Sequence, residues 1–333
     1  MRYAVRPIMR DDELRSGDIV TVKSAAEILA TLDGRGTLDG LPFMPEMVKY
    51  CGQKFAVDRR ASKICDTVHS TSSRRIPDAV LLEELRCDGT GHDGCQAECR
   101  LFWKEVWLRR AGPVDSPRPP ASSATDGDDA ARAKLLELLA RNVKRTAQVE
   151  GRPAECYACQ ATDLYTASKH IRTLDPRPYV REYTSGNVPL GRFLKVVARA
   201  AVREPLRKVG IWAEGPLPGT RTGPVPDEPL HLQPGEWVQI KSKEEILATL
   251  NEKGKNRGLW FDVEMLPFCG GTYRVRKRVN RIIDERNGKL IHIKSDCVML
   301  EGVACSGDNS VGRWFCSRAI IPYWRECWLR RVA

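Results

Sequence analysis

The feature that most limits what this chain can fold into is that part of it occurs twice. Displaced by 218 residues, positions 17–87 align with 235–305 without a gap, and about 27 of those 71 pairs are identical. The longest shared run is VTVKSAAEILATL at 20–32 against VQIKSKEEILATL at 238–250. A three-residue insertion then enters the second occurrence, after which Cys95 aligns with Cys316, Trp103 with Trp324 and Trp107 with Trp328. Self-similarity at one fixed offset means that one supersecondary unit is used twice, so the spacing predicts two modules, at 16–110 and 234–332.

Local signals describe that unit. Ser24 with Glu27, and Ser242 with Glu245, have the spacing of a capping box ahead of the short helix EILATL, which should end by Gly36 and by Gly254. Asp18 to Val22 and Trp237 to Ile240 look like first strands. Tyr273 to Asp284 and Leu290 to Leu300 flank Asn287-Gly288, a pair suited to a type I′ hairpin turn, in which both central residues take positive φ. The expected class is α+β, with each module an SH3-like or similar five-stranded partial barrel crossed by its Trp-rich last segment. The recurrence of Trp103 and Trp107 at Trp324 and Trp328 points to core packing.

Between the modules the composition changes twice. Residues 111–129 are rich in Pro, Ser, Ala and Asp and lack the apolar side chains needed to offset the entropy of ordering them, as expected of a linker. From 130 to 213, Leu135, Leu136, Leu139 and Val143, and later Leu190, Phe193, Leu194, Val197 and Val202, fall at helical spacing. A small helical domain is expected there, with Pro205 ending or kinking its last helix. Residues 214–233 form a second, Pro/Gly-rich connector. No stretch approaches the roughly 20 apolar residues of a spanning helix, and the first residues lack the apolar run of a secretion signal, so a cytoplasmic protein without a membrane partner is expected. The net charge of +11 favours acidic or phosphate-rich partners without identifying one.

Twelve cysteines supply the most informative chemistry. Three positions recur: Cys51 with Cys269, Cys87 with Cys305, and Cys95 with Cys316. Thiolates drawn from a loop and two sheet-end turns suit a closed tetrahedral zinc site. In the second module Cys297 would complete it. In the first module Ala79 stands at that position, leaving Cys65, Cys99, His69 or His92 as the fourth ligand. An iron–sulfur cluster, disulfides and buried free thiols are the competing accounts, and a reducing compartment disfavours disulfides. The CxxC at Cys156 and Cys159 lacks the βαβ surroundings of a redox fold and is expected to pack locally.

Nothing in the sequence has the spacing of a nucleophile with its base, or of a phosphate-binding loop. The segment from Asp175 to Asn187 gathers charged and aromatic side chains ahead of a helix, and its leading interpretation is an ordinary polar loop. Alternation along the strand from Tyr273 places Arg274, Arg276 and Arg278 on one face, where they would contact phosphates. The function these observations favour is a metal-stabilised tandem binding or adaptor protein for a macromolecular partner, nucleic acid being one candidate. The alternative is an enzyme, or an enzyme's accessory subunit, acting on a peptide or small molecule. Convergence of Arg177, Arg181, Glu182 and His170 with module residues in one deep pocket would favour that alternative.

Overall fold

The computed structural model describes residues 12–68, 73–111, 126–172, 175–208, 217–223, 229–310 and 312–332. Contacts divide the chain into two units: Met1–Leu194 with Ile283–Leu290 and Phe315–Ser317, and Lys195–Ile282 with Ile291–Trp314 and Arg318–Ala333. Each combines antiparallel strands with helices in an α+β arrangement. Among the described residues no helix is long and apolar enough to cross a membrane.

In the first unit, Ile19–Val22 alternates enough to bury Val20 and Val22 while pairing on both edges. Ile19 lies opposite Ala56 of Lys54–Arg60, and Val22 lies opposite Leu108 of Leu108–Arg110. Lys54–Arg60 pairs in turn with Ala79–Arg86, and that strand with Arg100–Lys104. Because the last strand returns to the first, the five strands curl into a half-barrel. A three-residue 3-10 turn, Glu105–Trp107, carries the chain from one edge to the other. Its anchor is Trp107, fully buried, met edge-on by Phe43 at 5.1 Å and donating from Nε1 to Thr31 Oγ1 at 3.0 Å. Truncating a ring held this way costs about 3–5 kcal/mol.

The helix Ala25–Leu29 starts where its capping box predicts. Glu27 N donates to Ser24 Oγ at 3.3 Å, and Ser24 N donates to the Glu27 carboxylate at 3.0 Å. Satisfying two orphan amides in this way contributes about 1 kcal/mol. At the far end of Lys54–Arg60, the buried Arg60 guanidinium bonds the carbonyl of Leu14 and pairs with Glu105 at 2.5 Å, fastening the lead-in segment to the sheet.

The second unit's sheet runs Trp324–Arg325, Cys297–Leu300, Thr272–Arg278, Trp237–Ile240 and Leu329–Arg331. Ser242 and Glu245 cap Lys243–Leu247 reciprocally, and the buried Trp328 donates to Thr249 Oγ1 at 2.8 Å with Phe261 edge-on at 5.4 Å. Arg278 bonds the carbonyl of Leu232 and pairs with the buried Glu326 at 2.6 Å. That carboxylate also accepts from the amides of Leu230, His231 and Leu232.

The middle of the chain differs from the expectation of a helical domain. Asp126–Asn142 is a helix, beginning inside the stretch expected to be linker, and residues 112–125 of that stretch lie outside the described residues. Its Leu135 and Leu139 enter the same core as Ile28, Met47 and Trp107. Helical spacing therefore marked a face that packs on the half-barrel. Lys144–Val149 and Arg152–Tyr157 then form a β-hairpin. Its two-residue turn, Glu150-Gly151, has φ of 52° and 76°, as a type I′ turn requires. Asn287-Gly288 is not such a turn. Only Gly288 has positive φ, and Asp284 closes a longer loop by donating to the Lys289 carbonyl at 2.9 Å and accepting from Gly288 N at 2.8 Å. A side chain at Gly288 would meet the Tyr157 carbonyl at 2.5 Å, so glycine is required there by close approach. The later helix, Leu190–Lys208, contains Pro205 near its end and continues past it.

Candidate metal centre

Three side chains of the first unit converge in one buried place. Glu46 sits in the first turn of the 3-10 helix Pro45–Tyr50, Cys87 immediately follows the strand Ala79–Arg86, and His92 lies in the loop after it. One ligand atom from each lies within 4.8 Å of the other two. Cys87 Sγ is 2.7 Å from Glu46 Oε1, and His92 Nδ1 is 3.6 Å from the same oxygen. The Glu46 and His92 side chains are each 1% exposed.

The loop from Cys87 to Cys95 folds over the carboxylate for local reasons. Asp88 is held by Lys49 at 2.6 Å and accepts from Thr90 N, while the Gly89 carbonyl accepts from His92 N and Gly94 N. Gly89 has φ of 76°, and a Cβ there would fall 2.0 Å from the Cys95 carbonyl, so no other residue fits. A Cβ on Gly91 would come within 2.9 Å of Glu46 Oε2. The backbone thus closes tightly around the three ligand atoms.

Their electrostatics are unsettled without a cation. Burial pushes the Cys87 thiol far above its ordinary range, and the negative charge of Glu46 adds to this. Burial also holds the His92 imidazole below its ordinary value, against the attraction of Glu46. Among the described residues, Glu46 Oε2 and His92 Nε2 are buried with no hydrogen-bond partner. Leaving such atoms unpaired costs roughly 1–3 kcal/mol each. A divalent cation removes the difficulty at once, because it stabilises the thiolate and takes up the carboxylate and imidazole lone pairs. The Glu46-Cys87-His92 group can therefore hold a metal.

At the 218-residue offset Glu46 corresponds to Glu264, and the same buried carboxylate is satisfied there by a different chemistry. Glu264 accepts from Gly307 N at 3.1 Å, from Asn309 N and Ser310 N at 2.7 Å each, and from the hydroxyls of Ser306 and Ser310 at 2.9 Å each. The three-residue insertion lengthens this loop enough to wrap its amides around the acid.

Of the nine thiols expected as ligands, only Cys87 enters the group. Cys51 and Cys269 close the two 3-10 helices and pack on apolar cores, and burial pushes the Cys51 thiol up to about 11. Cys297 is buried on its strand with its thiol pushed up to about 12 by burial. Cys305, the counterpart of Cys87, donates its amide to the Ile320 carbonyl. Cys316 Sγ accepts from Cys65 N at 3.1 Å, and Cys95 Sγ accepts from Ile283 N at 3.4 Å. Cys99 receives the Cys87 amide on its carbonyl at 2.8 Å, but its sulfur is not in the mutually close set. Among the described residues Glu46, Cys87 and His92 are the one group of three or more ligand types found together. His69 lies outside the described residues. Repetition of cysteine points to Cys87, and His92 is one of the fourth ligands the sequence offers for the first module. Glu46 was missed, although its identity with Glu264 amid apolar neighbours is the signal that finds it.

The arginine strand also differs from strict alternation. A bulge between Val275 and Lys277 interrupts Thr272–Arg278. Arg274 and Arg276 are exposed, with Arg274 Nε donating to the Gly235 carbonyl at 2.9 Å. Arg278 instead pairs with Glu326 and Asp296, and its counterpart Arg60 pairs with Glu105. Arg278 therefore holds the fold in place of forming part of an open cationic face.

No family model, no curated protein and no solved structure matches this chain.

Proposed function

We propose that this is a zinc-stabilised tandem binding protein, in which two SH3-like partial barrels of common origin present surfaces to a macromolecular partner, and that the partner is nucleic acid. The mixed N, S and O donor set of Glu46, Cys87 and His92 suits zinc. An iron–sulfur cluster is held by several thiolates, and this group offers one. Burial of Glu46 and His92, with Cys87 partly buried beside them beneath a tight loop, supports a structural metal rather than one open to substrate.

The observation that carries the partner is on the second unit's sheet. Trp237, 55% exposed, lies directly opposite exposed Arg274 on the neighbouring strand, with exposed Arg276 two residues on. Directly opposed residues share a sheet face. An aromatic plane beside guanidinium groups supports stacking on a base with phosphate contacts alongside. The test is fluorescence anisotropy with labelled single- and double-stranded oligonucleotides. The double variant Arg274→Glu/Arg276→Glu should lose at least about tenfold in affinity, and wild-type binding should weaken with salt. Absence of binding to any oligonucleotide at low salt, or unchanged affinity in the folded variant, would contradict the proposal. The alternative, an enzyme or accessory subunit acting on a small molecule, draws support from one observation, the basic cavity described next.

A further inference from the structure

A cavity of about 600 Å³ in the first unit gathers six cationic side chains, Arg60, Arg75, Lys169, Arg172, Arg177 and Arg181. It lies where the two-residue strand Lys169–His170 pairs with Ser73–Arg75, beside the helix Arg177–Thr184. Three of the cations are occupied within the fold. Arg181 pairs with Glu13 at 2.6 Å, Arg177 with Asp175 at 2.8 Å, and Arg60 with Glu105 at 2.5 Å. Among the described residues no carboxylate comes within ion-pairing distance of Arg75, Lys169 or Arg172, and all three are exposed.

Positive charge is in excess here: Glu13, Asp78 and Asp175 also line the cavity, and Asp175 attracts Arg75, yet the cationic side chains outnumber the lining acids. Arg75 and Lys169 stand directly opposite each other on paired strands, an arrangement in which like charges repel. Arg181 adds to this: its Nε is buried without a hydrogen-bond partner among the described residues. Asn187 sets the geometry from behind. Its amide accepts from Arg60 N at 2.7 Å and donates to the Arg60 carbonyl at 3.0 Å and to buried Glu182 at 2.8 Å, docking the end of the helix on the half-barrel. Glu182 consequently lies behind the wall, whereas Arg177, Arg181 and His170 line the cavity.

We propose that this cavity binds a small phosphorylated molecule, with Arg75, Lys169 and Arg172 neutralising its phosphate groups. The volume lies within the roughly 300–1,000 Å³ usual for small-ligand sites. Guanidinium forks match phosphate oxygens in pairs, and a lysine adds a point charge. Excess positive charge over the lining acids selects a ligand with more than one negative charge.

Isothermal titration of the full chain with inorganic pyrophosphate tests this, with inorganic phosphate and sulfate as weaker comparators. Pyrophosphate should bind at one site per chain. The double variant Arg75→Ala/Lys169→Ala should lose at least about tenfold in affinity, with its metal content and melting temperature kept. Arg274→Glu/Arg276→Glu should bind pyrophosphate as the wild type does, which separates this site from the proposed nucleic-acid surface. No binding at millimolar pyrophosphate, or full binding by the folded Arg75→Ala/Lys169→Ala variant, overturns the proposal. So does displacement of pyrophosphate by an oligonucleotide whose own binding requires Arg75 and Lys169.

Discussion

Glu46 and Glu264 occupy equivalent positions 218 residues apart, and both are buried, yet they solve the same problem with different partners. A carboxylate taken out of water must be matched by donors or by a cation. Around Glu264 the longer loop supplies three backbone amides and two serine hydroxyls. Around Glu46 the shorter loop supplies a thiol and an imidazole, and one carboxylate oxygen keeps no hydrogen-bond partner among the described residues. The lesson is that the same acid at matching positions sets the same structural demand, and the loop beside it decides whether amides meet that demand or a thiol and an imidazole gather into a group that can hold a metal.

Metal removal should separate the two most sharply. A strong chelator at neutral pH is expected to destabilise the first unit by about 5 kcal/mol or more, since structural zinc contributes roughly 10–16 kcal/mol of binding energy in small domains. Two thermal transitions monitored by calorimetry should result, with only one of them moving. Acid acts in the same direction. Burial keeps the Cys87 thiol protonated when no cation is bound, so metal binding must displace that proton and weakens as pH falls. A chelator that leaves both transitions in place would break the comparison.

A smaller effect is expected at the other carboxylate. Glu264→Ala removes the common acceptor of five donors and should cost about 3 kcal/mol in the second unit, because buried amides would lose their partner. Metal content should not change. Urea unfolding of the variant measures this directly, and a loss under about 1 kcal/mol would show that solvent or rearranged loop atoms replace the carboxylate easily.

The parts of the fold that were legible in the sequence are those specified by local chemistry. Ser24 and Ser242 cap their helices as the spacing with Glu27 and Glu245 predicts, and the recurring tryptophans lie in the cores. Longer-range matters were not legible. Lys144–Val149 buries none of its side chains, so its sequence carries no apolar face to announce a hairpin. Leu135 and Leu139 showed helical spacing but nothing about which core they enter. Arg278 looked like one of three surface arginines because neither the bulge at Val275 nor the distant Glu326 leaves a local signature. The candidate metal group is drawn together across a similar distance, with Glu46 and Cys87 41 residues apart. Recurrence draws attention to thiols, and several of the recurring thiols are buried core residues, whereas the carboxylate that recurs with them is the one that Cys87 and His92 meet.

The central claim, that one metal is held by Glu46, Cys87 and His92, is tested most directly by elemental analysis of protein purified without added metal. Wild-type protein, Cys87→Ala, His92→Ala and Cys305→Ala should be measured together. One equivalent of zinc in the wild type and in Cys305→Ala, lost from Cys87→Ala and His92→Ala, is the result expected. Metal retained by Cys87→Ala and His92→Ala, or none in the wild type, would contradict it.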